Sequence, residues 1–405
     1  MPVSNSKRQG GFLIICVLAL LSIFPPLATD MYLSALDDVA VAFNASPAAA
    51  EMSLSVFFLG LCAGQLIVGP LIDAYGRKLP LLIGCAVFVV TSVGLLLVQD
   101  IYVFNALRFV QALGACAGMV VGRVIVSDLY DGRKAAQMLT ILVMLMTLGP
   151  ILAPFLGSLL FVAYGWQAIF IVLVLMGVLA FVLAGIIIPE TLPQSRRREA
   201  AFGATLRRFV SIVSRSSFIA PAFVTACIQA PMFAFITASS GVFQGIYGMS
   251  SEAYGVTFGL IATALVVFGQ LNRLLLNRFN PQQILTAMLP VFVFVALALL
   301  VNAQASNMWL VVIPLWLALG LVGLLTANAM SIAMKGAIDH PGLASAAIGA
   351  IQFGLAFSTS TLVALAGTDS VFPMASAIFI AASLASVLWF RVGRFSQDLI
   401  MASQQ

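Results

Sequence analysis

The sequence predicts an all-α membrane protein: twelve transmembrane helices arranged as two six-helix bundles. Three observations carry that prediction. Of the 405 residues, 62% are hydrophobic and 8% charged, with a mean hydropathy of +1.12. Soluble domains hold roughly 25% charged residues and about half apolar ones, so lipid is the solvent that can cover this much apolar surface. Apolar runs recur along the chain, each near the length of about 20 residues that crosses a bilayer. Finally, the cations collect in alternate connections between those runs.

The runs lie at approximately 11–36, 51–72, 79–98, 102–127, 136–160, 165–188, 217–244, 254–276, 282–303, 307–335, 342–366 and 371–392. They are rich in Leu, Val, Ala and Phe and do not alternate, which favours helices over barrel strands. With the N-terminus in the cytoplasm, eighteen of the 19 Lys and Arg residues fall in cytoplasmic segments, from Lys7 and Arg8 through Arg123 to Arg391 and Arg394. The outer loops hold none, and Arg108 alone falls in a span away from its cytoplasmic end. This positive-inside pattern accounts for the net charge of +5 and sets aside nucleic acid as a partner. Lys7 and Arg8 followed by an apolar stretch and small residues near Ala28 could pass for a signal peptide. Eleven further spans follow, and the expectation is that the segment is kept as the first span. All five cysteines lie in apolar spans, where a thiol is an inert small hydrophobe, so neither disulfide nor metal ligation is expected.

Residues 189–216 form the longest polar stretch, with Pro189, Glu190, Pro193 and the run Arg196–Arg198. They are read as a cytoplasmic linker between an N-terminal bundle, 1–188, and a C-terminal bundle, 217–405. A weak repeat supports the division. Gly69-Pro70-Leu71-Ile72-Asp73 and Gly269-Gln270-Leu271-Asn272-Arg273 each open a basic turn between the second and third helix of a half. Paired halves with the substrate cavity between them near the midplane are a common transporter plan.

No phosphate-binding Gly-rich loop with Lys-Ser/Thr is present, so ATP is not the expected driver. His340 is the single histidine and cannot by itself make a zinc site or a triad. Asp37 and Asp38 read as a solvated outer loop. Two charges fall inside spans, where a charge costs about 2.5–3.5 kcal/mol even on lenient scales. Asp30 comes late in span 1, after the helix-kinking Pro25-Pro26. Arg108 comes early in span 4. Both could be a buried ionic staple. The functional reading is that Asp30 is a proton site, since a carboxyl held in an apolar cavity can load and release a proton near neutral pH. Gly60 and Gly64 in span 2, and Gly114, Gly118 and Gly122 in span 4, recur every four residues, the spacing that lets helices approach closely. Gln65, Asn105, Gln111, Gln229, Asn328 and Gln352 are uncharged polar residues within spans, each costly without a partner or water. Among these, Gln111, Gln229, Asn328 and Gln352 are candidates for substrate contact, with Tyr32 and Phe233.

Several segments together resemble a known family. Gly69-Pro70-Leu71-Ile72-Asp73-Ala74-Tyr75-Gly76-Arg77-Lys78 resembles the loop motif of the major facilitator superfamily. Arg108-Phe109-Val110-Gln111-Ala112-Leu113-Gly114 is similar to the span-4 motif of its drug/proton antiporters, and Gly149-Pro150 through Pro154 and Gly157 to their span-5 antiporter motif. Thr29-Asp30-Met31-Tyr32-Leu33, Gly165-Trp166-Gln167-Ala168-Ile169-Phe170 and Pro189-Glu190-Thr191 resemble the Bcr/CflA multidrug-resistance branch. The resemblance is strong over spans 1–6 and rests mostly on hydropathy in the second half. It implies proton-coupled export of small molecules by alternating access, with Asp30 as the proton-linked or substrate-linked carboxylate and Arg108 as its functional neighbour. It further implies a cytoplasmic latch built on Gly69, Asp73, Gly76, Arg77 and Lys78. Two departures stand out: Ala74 replaces the usual basic residue, and Ser34 stands where the branch often has proline.

The expectation is a multi-pass protein of the bacterial inner membrane, acting as a monomer and needing no cofactor or metal. It would exchange protons for small drug-like molecules. A same-fold exporter of a metabolite such as a nucleoside or sugar is the alternative, and an integral membrane enzyme the remote one.

Overall fold

The structure is a computed structural model that describes residues 5–130, 132–197, 202–337 and 341–402. His340 and Arg198 lie outside them. All regular elements among the described residues are helical. Eleven helical stretches are long and apolar enough to cross a membrane, and Leu148–Tyr164 adds a shorter apolar one. The twelve-helix all-α architecture read from the sequence is the one observed. The chain divides into two compact units, Met1–Thr205 with Ser251–Val256, and Leu206–Ser250 with Thr257–Gln405.

In the first unit the first span is broken into α1 (Asn5–Ser22), α2 (Phe24–Asp30), a 3-10 turn (Leu33–Ala35) and α3 (Leu36–Ala42). Pro25 and Pro26 cause the first break. They lack N–H groups, so the carbonyls of Leu21 and Ser22 lose their helical donors. The helix resumes with Leu27 N donating to Ile23 O at 3.0 Å and stops again at Asp30. Asp37 and Asp38 do not sit in a loop as expected. They occupy the first turn of α3, where the positive end of the helix dipole favours carboxylates.

The rest of this unit is α4 (Pro47–Tyr75), α5 (Lys78–Leu97), α6 (Ile101–Leu129), α7 (Gly132–Tyr164) and α8 (Trp166–Ile187). Asp100 caps α6, accepting from Tyr102 N at 2.8 Å and Val103 N at 2.9 Å, which satisfies two of the four orphan donors at that end. Arg123 lies within the last two turns of α6. The long α7 continues through Pro150 and Pro154 without interruption.

Small residues set the helix spacing around α6. A Cβ at Gly64 would stand 2.6 Å from Cys116 Cβ, and one at Gly114 would stand 2.6 Å from the Gly84 carbonyl and 2.7 Å from Phe88 N. A Cβ at Gly60 would overlap the Phe109 carbonyl. The four-residue glycine spacing in spans 2 and 4 thus corresponds to backbone-to-backbone contact of α4 and α5 with α6. By the same measure Gly118 faces the carbonyl of Leu21, one of the two released by the proline pair.

The second unit holds α9 (Phe202–Val213), α10 (Ser216–Ser240), most of α11 (Ser251–Leu275), α12 (Pro281–Val301), α13 (Trp309–Lys335), α14 (Pro341–Ala366) and α15 (Phe372–Ala402). The outer part of α10 loosens into a π-helical turn, Gly241–Ile246. Much of the stretch expected to be linker is ordered. Ile212 of α9 is fully buried with Phe218, Ala222, Ala333 and Ile348 in one apolar cluster. Neutral polar pairs tie the other helices: Thr237 with Ser360 at 2.6 Å, and Asn328 Nδ2 donating to Asn272 Oδ1 at 2.7 Å.

The glycine contacts generate a paired prediction. Gly114→Ala should lower thermal stability of the purified protein by about 1–3 kcal/mol, because a methyl group there must push α5 from α6. Gly69→Ala, where an added Cβ meets nothing within 4 Å, should be neutral or stabilising by up to about 1 kcal/mol. Melting curves of the two variants in the same detergent check both.

Candidate functional site

Arg108 is fully buried in α6. Its guanidinium donates from Nη2 to the Ala28 carbonyl at 2.8 Å and from Nη1 to Gln111 Oε1 at 2.6 Å. The Ala28 carbonyl is available because α2 ends at Asp30, leaving its last carbonyls without helical donors. Three rings complete the enclosure. The guanidinium carbon lies 4.6 Å from the centroids of Tyr32 and Phe57 and 5.9 Å from Phe170. The ring quadrupoles stabilise the cation where water is excluded. The brace extends outward: Gln111 Nε2 donates to Ser92 Oγ at 2.8 Å, and Ser92 Oγ donates to Phe88 O at 2.6 Å. The Tyr32 hydroxyl is hydrogen-bonded to Ser53. Tyr32 and Gln111, singled out as substrate contacts, are both fully enclosed in this cage. Ser92 and Phe57 gave no signal in the sequence, since single Ser and Phe residues in spans are common; Phe170 stood out only as the end of the Gly165–Phe170 segment.

Asp30 lies at the C-terminal end of α2, buried to 1% exposure. Among the described residues no ion pair joins it to Arg108. Its neighbour is Thr29, whose Oγ1 stands 2.8 Å from Asp30 Oδ1, 2.9 Å from the Pro25 carbonyl and 3.2 Å from the Pro26 carbonyl. A hydroxyl has one proton to donate and lone pairs to accept. When the carboxyl is ionised, Thr29 donates to it. When the carboxyl is protonated, it can donate to Thr29, whose own proton then turns to the Pro25 carbonyl. Either protonation state of Asp30 is therefore hydrogen-bonded without any movement of heavy atoms.

The span-5 motif residues flank this segment. A Cβ at Gly149 would stand 2.8 Å from the Pro26 ring, and one at Gly157 would overlap the Met31 carbonyl. These two glycines let α7 press on the chain immediately before and after Asp30, with Pro150 and Pro154 buried between them.

At the α4–α5 turn the predicted latch residues form a second charged centre. Arg77 pairs with Asp73 at 2.8 Å and with Asp128, near the end of α6, at 3.1 Å, and it also donates to Ile72 O at 2.8 Å. Glu190 accepts from Arg77 N at 2.8 Å, Lys78 N at 3.3 Å and Leu192 N at 3.0 Å. It thereby caps the start of α5. Arg197 lies 3.6 Å from Glu190, Thr191 donates to Asp128 at 2.7 Å, and Lys78 Nζ donates to Gly185 O at 2.7 Å. Burial alone would raise the pKa of Glu190. The three N–H donors and Arg197 outweigh it and hold the carboxyl below the ordinary glutamate range. Gly76 has φ 92, and a Cβ there would overlap the Glu190 carboxylate. Asp128 and Glu190 were missed as latch residues because their partners are 51 and 113 positions away. Gly69 makes no close contact at its Cα.

In the second unit Asn328 is buried, with its amide held by Asn272 and the Leu324 carbonyl at 2.8 Å. Gln229 and Gln352 are half-buried on α10 and α14, and Phe233 lies 6.2 Å from Phe353. In the first unit Asn105 donates to Ala49 O at 3.1 Å. Gln65 is buried, and so is Glu51, near the start of α4.

A broken first helix, a buried charged cage and a clamped turn between two spans fit a solute transporter, and the comparisons give the class. The family model described as Major Facilitator Superfamily matches residues 12–361, and the chain belongs to that family. An MFS-type transporter, YdgK of Bacillus subtilis (strain 168), is 30% identical over 98% of this chain and 99% of its own length. The "Multidrug resistance protein MdtL" of Escherichia coli O157:H7 is 30% identical over 93% of this chain and 94% of its own. The "Bicyclomycin resistance protein homolog" of Haemophilus influenzae (strain ATCC 51907 / DSM 11121 / KW20 / Rd) is 28% identical over 91% and 93%. Among solved structures, a bacterial homolog of the human lysosomal transporter Spinster, inward-facing and occupied, superposes with TM-score 0.74 at 15% identity, covering 96% of this chain and 98% of its own. The D-xylose-proton symporter does so with TM-score 0.72 at 14% identity, covering 92% and 97%. These two likenesses are of fold.

The clamp geometry sets two expected outcomes. Gly76→Ala should displace Glu190 and speed tryptic cleavage after Arg197 relative to wild type, as should Asp128→Ala, which removes the partner of both Arg77 and Thr191. Asp73→Ala should have a smaller effect, because Asp73 is the more exposed partner, at 56% against 24% for Asp128. Because the folded-state pKa of Glu190 is depressed, its contribution is complete above the ordinary glutamate range and is lost as pH falls through the lowered value. Cleavage of wild type should therefore not change across neutral pH.

Proposed function

We propose that this transporter is a proton-coupled antiporter that exports small drug-like molecules across the bacterial inner membrane, with Asp30 as the coupling carboxylate. The carrying observation is the hydrogen-bond arrangement at Asp30. It is a buried carboxyl with no cationic partner among the described residues, next to a hydroxyl that serves it charged or neutral. A carboxylate locked to an arginine would resist protonation. One that is free of such a lock can cycle.

Arg108 holds the end of α2 through the Ala28 carbonyl, two residues before Asp30. Loading or unloading Asp30 changes the charge beside a backbone segment pinned by Arg108 on one side and by the α7 glycines on the other. In the proposed cycle that change biases the first span between two packings, and the substrate is released as the proton enters. Each proton moving inward supplies about 2.3 kcal/mol per 100 mV and about 1.4 kcal/mol per pH unit, enough for a tens- to hundreds-fold gradient of a neutral solute. The relatives named for multidrug and bicyclomycin resistance support a drug-like substrate. Gln229, Phe233 and Gln352, half-buried or nearly buried on adjoining faces of α10 and α14, are the proposed substrate contacts, a few polar groups among apolar ones as small-molecule sites require. The protein is proposed to work as a monomer with both termini in the cytoplasm.

Asp30→Asn keeps the shape and removes the titration. It should insert and fold, yet lose proton-driven efflux from everted vesicles, while substrate binding survives. Wild-type proton movement by this variant would end the proposal. Thr29→Val should impair efflux and Thr29→Ser should restore it, measured in the same vesicles. Equal activity of all three would show that the hydroxyl plays no part in the proton step.

A further inference from the structure

An open groove of about 390 Å³ lies between α4 and α5, floored by α6. Its walls are Ile67, Leu71 and Tyr75 of α4 and Leu79, Ile83 and Val87 of α5, with Val110 at its base. Apart from the Tyr75 hydroxyl, these side chains carry no polar atom. The groove belongs wholly to the first unit and shares no residue with the Arg108 cage or with Asp30. Its walls are open sideways: Ile83 is 54% exposed and Ile67 38%. The glycine contacts of α4 and α5 with α6 create it, since each helix rests on α6 while few contacts join α4 to α5.

We propose that this groove seats one phospholipid acyl chain from the leaflet on the side of the α4–α5 turn. Depth and length argue for that occupant. The groove begins at the turn, where Tyr75 stands half exposed, the depth at which tyrosines mark the membrane–water boundary. It ends near the middle of α4, α5 and α6. From Gly64 to Tyr75 a helix rises about 17 Å at about 1.5 Å per residue, close to half of the roughly 30 Å hydrocarbon core. A slender apolar chain hanging from a headgroup at the turn fills that length and no more. A helix of a second copy would need a groove crossing the whole span, and this one stops at the midplane. The occupant also has a mechanical consequence. It would fill the space between α4 and α5 directly above the turn that Arg77 and Glu190 clamp, so the lipid would help set the spacing of the two helices that carry the clamp.

The test uses the full-length purified protein in phosphatidylcholine vesicles containing a trace of phosphatidylcholine with a photoreactive diazirine midway along one acyl chain. Cross-linked residues are mapped by mass spectrometry. Val182 of α8 is the reference, because it is exposed and lies at the depth of Ile83. That depth follows from Lys78 reaching Gly185 O and Gly177 facing Val89. The expected result is labelling of Leu71, Ile83 and Val110 well above Val182, and a reduced excess at Val87 in Val110→Trp, which blocks the end of the groove away from the turn. Equal labelling of the groove and Val182 in wild type would mean ordinary boundary lipid and would overturn the proposal. So would efficient disulfide cross-linking between copies through Ile83→Cys, which would make a second copy the occupant. The wild-type map decides the matter even if Val110→Trp does not fold. None of the readouts depends on what the protein transports.

Discussion

The organisation of the first unit depends on one constraint: a guanidinium fully removed from water must be satisfied without water. Arg108 meets it at its two terminal nitrogens with the carbonyl of Ala28 and the amide of Gln111, and at its faces with three aromatic rings, while its buried Nε has no hydrogen-bond partner among the described residues. The carbonyl is available because the first span breaks a second time at Asp30, where α2 ends and leaves its last carbonyls without helical donors. The amide faces the right way only because Ser92 holds its other end. Helices α2, α4, α5, α6 and α8 are thereby committed to one arrangement around a single side chain. An unsatisfied buried charge would cost several kcal/mol, so the cage is high-stakes in the sense that it works complete or not at all.

Leaving Asp30 outside that cage separates two jobs. A direct ion pair would satisfy Arg108 cheaply, but it would hold the carboxylate charged. Because backbone and rings take the arginine, the carboxyl is left with only Thr29, and a hydroxyl is indifferent to which partner brings the proton. The α7 glycines then matter for a reason beyond close packing in general. They place a rigid helix against Pro26 and Met31, so the few residues carrying Asp30 are held from both sides.

Charge is spent unevenly along the chain. In the first unit, ion pairs join Arg77 to Asp73 and Asp128, and Arg197 to Glu190. The second unit uses neutral pairs, Thr237 with Ser360 and Asn272 with Asn328. The weak repeat at Gly69 and Gly269 therefore marks equivalent turns with different chemistry: a clamp around Arg77 in one, and in the other an asparagine pair joining α11 to α13. Neutral pairs are less costly to separate than desolvated ions, which makes the first unit the one whose internal arrangement is most strongly specified.

Span number, helical character and the segregation of cations were legible in the sequence, because each is a local property: the length of an apolar run, the absence of alternation, the sign of a connection. The sequence also made Asp30, Arg108, Asp73 and Arg77 conspicuous, since an ionisable group in or beside an apolar run is costly wherever it lies. The partners were not legible. Ala28 offers a carbonyl that every residue has, Ser92 and Phe57 are ordinary residues of apolar spans, and Glu190 lies 113 positions from the helix it caps. The sequence likewise showed glycines every four residues in two spans, but not that the clearance they create leaves an acyl-sized groove between α4 and α5. A hydrogen bond or a void is a relation between chain segments, so only the packed tertiary structure decided which carbonyl would hold Arg108, which carboxyl would have a hydroxyl rather than that cation beside it, and where a groove would stay open between α4 and α5.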